Sequence, residues 1–169
     1  HMTNNARPEC AYVVNACAQY SINPKLPHAE ALRRICRYIK GTIDEGLCIR
    51  PPGEQLAPDC HVDADYCNSW TLADAEHPDS VKSRAGFCIT LGTVPVLWKS
   101  KRIQAICLST MESECISCSM AMRSLVYLRG LLFEIDDIFE IGLGKRLSTI
   151  STVFEDNTPA LTLATTDPP

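Results

Sequence analysis

The residues most able to do chemistry are three acids in separate parts of the chain. His61-Val62-Asp63-Ala64-Asp65 alternates with period two inside a predicted strand, Cys60–Tyr66. Such a strand puts His61, Asp63 and Asp65 on one face and Val62 and Ala64 on the other. Two carboxylates on one strand face repel unless a cation lies near them, and Asp is depleted in strands. Further along, Glu112 and Glu114 stand two residues apart, about 200° around a helix, so they cannot serve one site together. Ser109 and Glu112 have the Ser-x-x-Glu spacing of a capping box, which gives Glu112 a structural task. Glu114 heads a stripe through Cys118, Ala121, Leu125, Leu128 and Leu132. A carboxylate leading a buried stripe needs a partner, because burying it alone is costly. The third acid, Asp156, follows a predicted strand and precedes a helix start, a position where α/β folds commonly build sites. The competing reading is that Asp156 and Asn157 only form the turn and cap the next helix.

The elements that must position these acids follow from the periodicities. Pro8–Tyr20 reads as a helix with Ala11, Val14 and Ala18 on its apolar face, broken at Asn23-Pro24. Pro27–Lys40 resumes the helical pattern. It turns Ala31, Leu32, Ile35, Cys36 and Ile39 inward and Arg33, Arg34, Arg37 and Lys40 to water, with Gly41 as C-cap. Pro51–Pro58 is a loop, and the period then becomes two. Arg84–Leu91 and Val94–Lys99 are predicted strands joined at Gly92-Thr93, after a polar loop over Asn68–Lys82. Ser109–Phe133 is a long helix, Leu147–Phe154 a strand, and Thr158-Pro159 opens a last helix. Three strands, a helix, a strand and a helix predict an α/β fold, a mixed central sheet flanked by helices, behind an N-terminal helical segment.

The chain has 169 residues, 46% of them hydrophobic and 21% charged, with a net charge of −4, which suits a folded domain rather than a disordered or broadly basic one. No apolar run is expected to reach the roughly 20 residues of a membrane span, and no membrane partner is expected. The N-terminus carries no signal-peptide pattern, and His1-Met2 reads as a cloning remnant. Its ten cysteines lie mostly within apolar segments, as small core residues of a reducing compartment would. Cys115 and Cys118 form a C-x-x-C within the predicted helix with no second pair nearby, which argues against structural zinc.

Taken together, His61-Val-Asp63-Ala-Asp65-Tyr66, Ser83-Arg84-Ala-Gly86-Phe87 and Leu97-Trp98-Lys99-Ser100-Lys101 resemble the ribonuclease H region of copia-type retrotransposon polyproteins. So do Leu108-Ser-Thr-Met-Glu112-Ser-Glu114-Cys115, Leu128-Arg129-Gly-Leu-Leu132 and Glu155-Asp156-Asn157, in the same order. Upstream, Ala6-Arg7-Pro8-Glu9-Cys10-Ala11-Tyr12 and Arg37-Tyr38-Ile39-Lys40-Gly41-Thr42 resemble the end of the preceding reverse-transcriptase region. The resemblance implies a reverse-transcriptase end over residues 1–50 and a ribonuclease H-like domain over 51–169. It implies catalytic and metal-binding roles for Asp63, Glu114 and Asp156, with Asp65 as a further metal ligand and Mg²⁺ or Mn²⁺ as cofactor. The implied activity is hydrolysis of the RNA strand of an RNA–DNA hybrid, inside cells, in a cytoplasmic virus-like particle or the nucleus. Implied partners are that hybrid and the rest of the polyprotein.

Lys82, Arg84, Lys99, Lys101 and Arg102 gather near one hairpin and form either a phosphate-binding edge or a solvated strand end. Trp98 reads as a core residue rather than a stacking platform. The family's fourth acid follows a stretch with His and Lys. No histidine follows His77 here, and Asp167 stands too close to Asp156 to take that role, so the domain is expected to be truncated at its C-terminus. Met111 and Cys115 also depart from the family's usual hydroxyl and aromatic residues. Two alternatives therefore stand beside the nuclease: a non-catalytic remnant serving as a nucleic-acid or polyprotein interaction module, and an unrelated redox or metal protein using the cysteines.

Overall fold

A computed structural model describes residues 2–50, 56–67, 79–140 and 150–166, together with positions 72, 76 and 142. It is α/β. The four strands are β1 (Pro58–Asp65), β2 (Arg84–Leu91), β3 (Val94–Arg102) and β4 (Val153–Phe154), in the order β3-β2-β1-β4. β1, β2 and β3 form an antiparallel meander, with Asp63 opposite Gly86 and Asp65 opposite Arg84. β4 lies parallel to β1, Cys60 opposite Val153 and His61 opposite Phe154, after a crossover through helix α4 (Thr110–Phe139). A parallel neighbour requires such a crossover, and the long helix provides it.

The alternation in β1 determines which face carries the core. Cys60 and Val62 are buried with Phe87 and Ile89 of β2 and with Ala121 and Leu125 of α4. Cys118, Leu128 and Val153 pack around this cluster, so the predicted stripe faces the sheet. Ser113 and Ser117, two turns and one turn before Ala121, are fully buried and were not expected in the core. Their small side chains let the helix approach the strands closely, and Ser113 Oγ donates to Thr110 O at 2.7 Å. α4 runs six residues beyond the predicted Phe133. Contrary to the sequence expectation, it is long and apolar enough by length and composition to cross a membrane. Its buried face is nevertheless packed on β1 and β2.

The opposite sheet face is covered by the N-terminal segment, helices α1 (Met2–Asn5) and α2 (Ala11–Ala18). Trp98 Nε1 donates to Thr3 O at 2.6 Å, and Arg84 donates to Asn15 Oδ1 while lying over the Tyr12 ring at 5.4 Å. Arg7, buried, donates to Thr42 O at 2.9 Å and ties this segment to the end of helix α3 (Leu26–Gly41). On α3 the basic residues are exposed as expected. The predicted apolar stripe is only partly covered: Ile35 is buried and Ala31 and Ile39 are half-buried, whereas Leu32 and Cys36 face water. On α2, likewise, Ala11 and Val14 are half-buried and Ala18 is exposed. Helices α2 and α3 each meet a neighbour along only a narrow line, which leaves much of an apolar face unpartnered.

Of the predicted strand Leu147–Phe154 only Val153–Phe154 pairs, residues 150–152 are not in a strand, and Leu147–Thr149 fall outside the described residues. Most of the loops predicted at 51–58 and 68–82 also fall outside them, as does Asp167.

Candidate metal centre

Three elements end at one place. β4 stops at Phe154, so β1 continues from Val62 to Asp65 with no strand beside it on that edge among the described residues. Asp63 projects from this open stretch. Helix α4 begins nearby, and the chain leaving β4 passes through Asp156 before helix α5 (Thr158–Thr165). Asp63, Glu114 and Asp156 each bring a carboxylate oxygen into a group whose members lie within 4.8 Å of one another. Asp63 and Asp156 are exposed and Glu114 is only 5% exposed.

Local structure explains why these acids, and not their neighbours, converge. Ser109 Oγ accepts from Glu112 N at 3.1 Å, and Glu112 Oε2 accepts from Leu108 N at 2.6 Å. Glu112 is therefore used in capping, its side chain reaching one residue further back than in the predicted box. Asn157 Oδ1 caps α5 by accepting from Ala160 N at 3.0 Å. Of the Asp156-Asn157 pair, then, Asn157 is the residue that caps α5, while the Asp156 carboxylate lies with the other two acids.

Burial is the main force on Glu114. It pushes the carboxyl from 4.5 up to about 7, helped by the negative charges of Glu155, Asp63 and Asp156, while the Ala64 backbone N–H works the other way. Glu114 Oε2 is buried and receives no hydrogen bond among the described residues. An orphaned buried carboxylate oxygen beside two more carboxylates is a donor set for a hard divalent cation, which takes oxygen ligands.

Glu155, beside Asp156, has no signal of its own in the sequence. Its Oε1 accepts from Asn157 N at 3.0 Å and its Oε2 from Cys118 Sγ at 3.3 Å. Burial and that bond push the Cys118 thiol up to about 12, so it stays protonated and serves as a donor behind the site. None of the ten cysteines is in a disulfide, and among the described residues neither Cys115 nor Cys118 belongs to a metal-ligand group.

The chain is 31% identical, over 91% of its length, to the retrovirus-related Pol polyprotein from transposon RE2 of Arabidopsis thaliana. It is 30% identical, over 76% of its length, to the retrovirus-related Pol polyprotein from transposon TNT 1-94 of Nicotiana tabacum. The chain is a homologue of retrovirus-related Pol polyproteins from copia-type transposons. It spans 9% of the length of each of these two polyproteins. It is also 30% identical, over 72% of its length and 80% of the relative's, to secreted RxLR effector protein 161 of Plasmopara viticola. No family model and no solved structure matches.

In this Pol homologue the other sequence-predicted residues are placed unevenly. Asp65 is outside the group of three. It faces Arg84 across the β1–β2 pair, and burial and Asp63 raise its pKa while Arg84 lowers it. Lys99 and Lys101 are exposed on edge strand β3. Lys82 and Arg102 both reach Asp79, at 2.7 and 3.1 Å. Arg84 is 8% exposed, so its charge is turned into the interior beneath α2 rather than to the surface. Trp98 is half-buried and packed against the N-terminal segment.

Proposed function

We propose that this chain is the ribonuclease H-type module of a transposon Pol polyprotein, a metal-dependent endonuclease for the RNA strand of RNA–DNA hybrids. The observation that carries the reading is the convergence of Asp63, Glu114 and Asp156 from β1, α4 and the β4–α5 connection. The mixed sheet with β1 at its centre and β4 parallel to it is consistent with such a fold.

In this reading Asp63, Glu114 and Asp156 hold Mg²⁺ or Mn²⁺, with Asp65 lending charge from the next position on the same strand face. A divalent cation held there supplies the positive charge that activates water and stabilises a leaving oxygen. Glu114, raised to about 7, releases its proton as the cation arrives. Cys118 holds Glu155, and Glu155 holds Asn157 N, which fixes the segment that carries Asp156. Exposed Lys99 and Lys101 meet backbone phosphates, and the 2′-hydroxyl marks the RNA strand. Residues 1–50 are the end of the reverse-transcriptase region, and the rest of the polyprotein is the natural partner, in a virus-like particle or the nucleus.

The test is cleavage of a labelled RNA–DNA hybrid with Mg²⁺ or Mn²⁺ by the chain, by Asp63→Asn, and by a version extended beyond Pro169. Cutting that disappears in Asp63→Asn supports the nuclease. Cutting only by the extended version assigns the deficit to a fourth acid beyond this sequence. Silence from both rejects the nuclease in favour of a non-catalytic interaction module.

A further inference from the structure

The geometry points to a second binding site, a pocket for a phosphate group between α2 and the β2–β3 hairpin, on the sheet face opposite α4. Tyr12, Gln19, Tyr20, Lys82, Arg84 and Arg102 line a cavity of about 60 Å³. The space is small, enough for a few ordered waters or one compact polyatomic anion.

The lining is cationic and partly prearranged. Arg84 is fixed beneath α2 by Asn15 Oδ1, by Ser100 Oγ at 3.4 Å and by the Tyr12 ring. Lys82 and Arg102 already share an oxyanion, the Asp79 carboxylate, which bridges them at the rim and shows that the two cations accept such a group. Asp65, opposite Arg84, is the other acid facing this cluster. Among the described residues three cations thus face two carboxylates, which leaves a net positive charge.

The independent sign of a ligand is Gln19. Its Nε2 is buried and donates to nothing among the described residues. A buried amide donor left unpaired costs free energy that an acceptor oxygen in the pocket would recover. A phosphate offers that oxygen and the matching charge together.

The occupant is a phosphate of the nucleic-acid backbone, an assignment that rests on the nuclease reading. Asp63, Asp65, Arg84 and Arg102 have the same strand-face parity through the β1–β2–β3 register. Two strand spacings separate β1 from β3, about 10 Å, so one strand of nucleic acid can reach both the acids and the pocket. A free phosphoanion presents the same chemistry and is distinguished below.

The experiment follows the ¹⁵N signals of the Gln19 side-chain amide in the full chain, in EDTA, during titration with inorganic phosphate and then with RNA–DNA hybrid. Both ligands are expected to move those signals. Gln19→Met, which keeps the volume and removes the donor, is expected to weaken hybrid binding roughly tenfold, the loss of one charge-assisted hydrogen bond. Lys82→Gln should lower the salt dependence of binding by about one phosphate contact. A response to inorganic phosphate but not to hybrid keeps the pocket and makes a free phosphoanion its occupant. No response of the Gln19 amide to either overturns the site. EDTA removes the acid centre from the measurement, so an intact Gln19 response together with no hybrid cleavage in the separate Mg²⁺ or Mn²⁺ assay defeats the nuclease reading alone.

Discussion

Replacing Glu114 by Gln should stabilise the metal-free protein, although it removes a ligand from the proposed centre. Glu114 is 5% exposed, and its carboxyl is raised from 4.5 in the unfolded chain to about 7 in the folded one. Between those values the unfolded state gives up the proton first, so folding stability falls as pH rises. Below about pH 4.5 both states are protonated and the residue costs nothing; above about pH 7 both are ionised and the full penalty applies. The gap corresponds to about 3 kcal/mol. Gln keeps the shape, cannot ionise, and offers an N–H toward Asp63 and Asp156. In urea denaturation with EDTA, Glu114→Gln should therefore exceed the parent by about 3 kcal/mol at pH 8 and by less than about 1 kcal/mol at pH 5. Added Mg²⁺ should reverse the order, because only the parent gains a full ligand set. A difference that does not change with pH, or a variant less stable than the parent at pH 8 in EDTA, would refute the account of Glu114 as a buried acid held in reserve for a cation.

Further expectations follow from the same structure. Mg²⁺ affinity measured by calorimetry should rise about tenfold per pH unit up to about pH 7 and then level off, with release of about one proton below that point. Leu125→Ala, at a position 2% exposed in the main core, should cost about 2–5 kcal/mol in chemical denaturation. Ser109→Ala should cost about 1 kcal/mol by removing the cap of α4 at Glu112 N. Trp98→Phe should lose the bond to Thr3 O, about 1 kcal/mol, and speed proteolysis within the first 20 residues.

The sheet and the long helix were legible because their periodicities are strong. Period two in β1 separates Val62 from Asp63, and the cap at Ser109 fixes where α4 begins. Glu114 was legible as the acid out of place on an apolar stripe. What escaped had no local signal. Ser113 and Ser117 are polar by type but small enough to sit where α4 meets the strands, which depends on interhelical distance to the sheet and not on hydropathy. Arg84 opens β2 two residues after Lys82, and only the docking of α2, with Tyr12 and Asn15, reveals that its charge points inward. Leu32 and Cys36 follow a helical stripe that has little to pack against.

The shortness of β4 has a consequence beyond chemistry. Past His61, β1 has no strand beside it on one side among the described residues, with the Ala64 N–H there bonded to Glu114, and such a margin is one on which a foreign strand can template itself. Asp63, Glu114 and Asp156 stand along that margin. Their negative charge opposes the approach of another strand, in addition to the metal-binding role proposed for them. A variant with all three neutralised would therefore lose its guard, and self-association through β1 would be its characteristic failure.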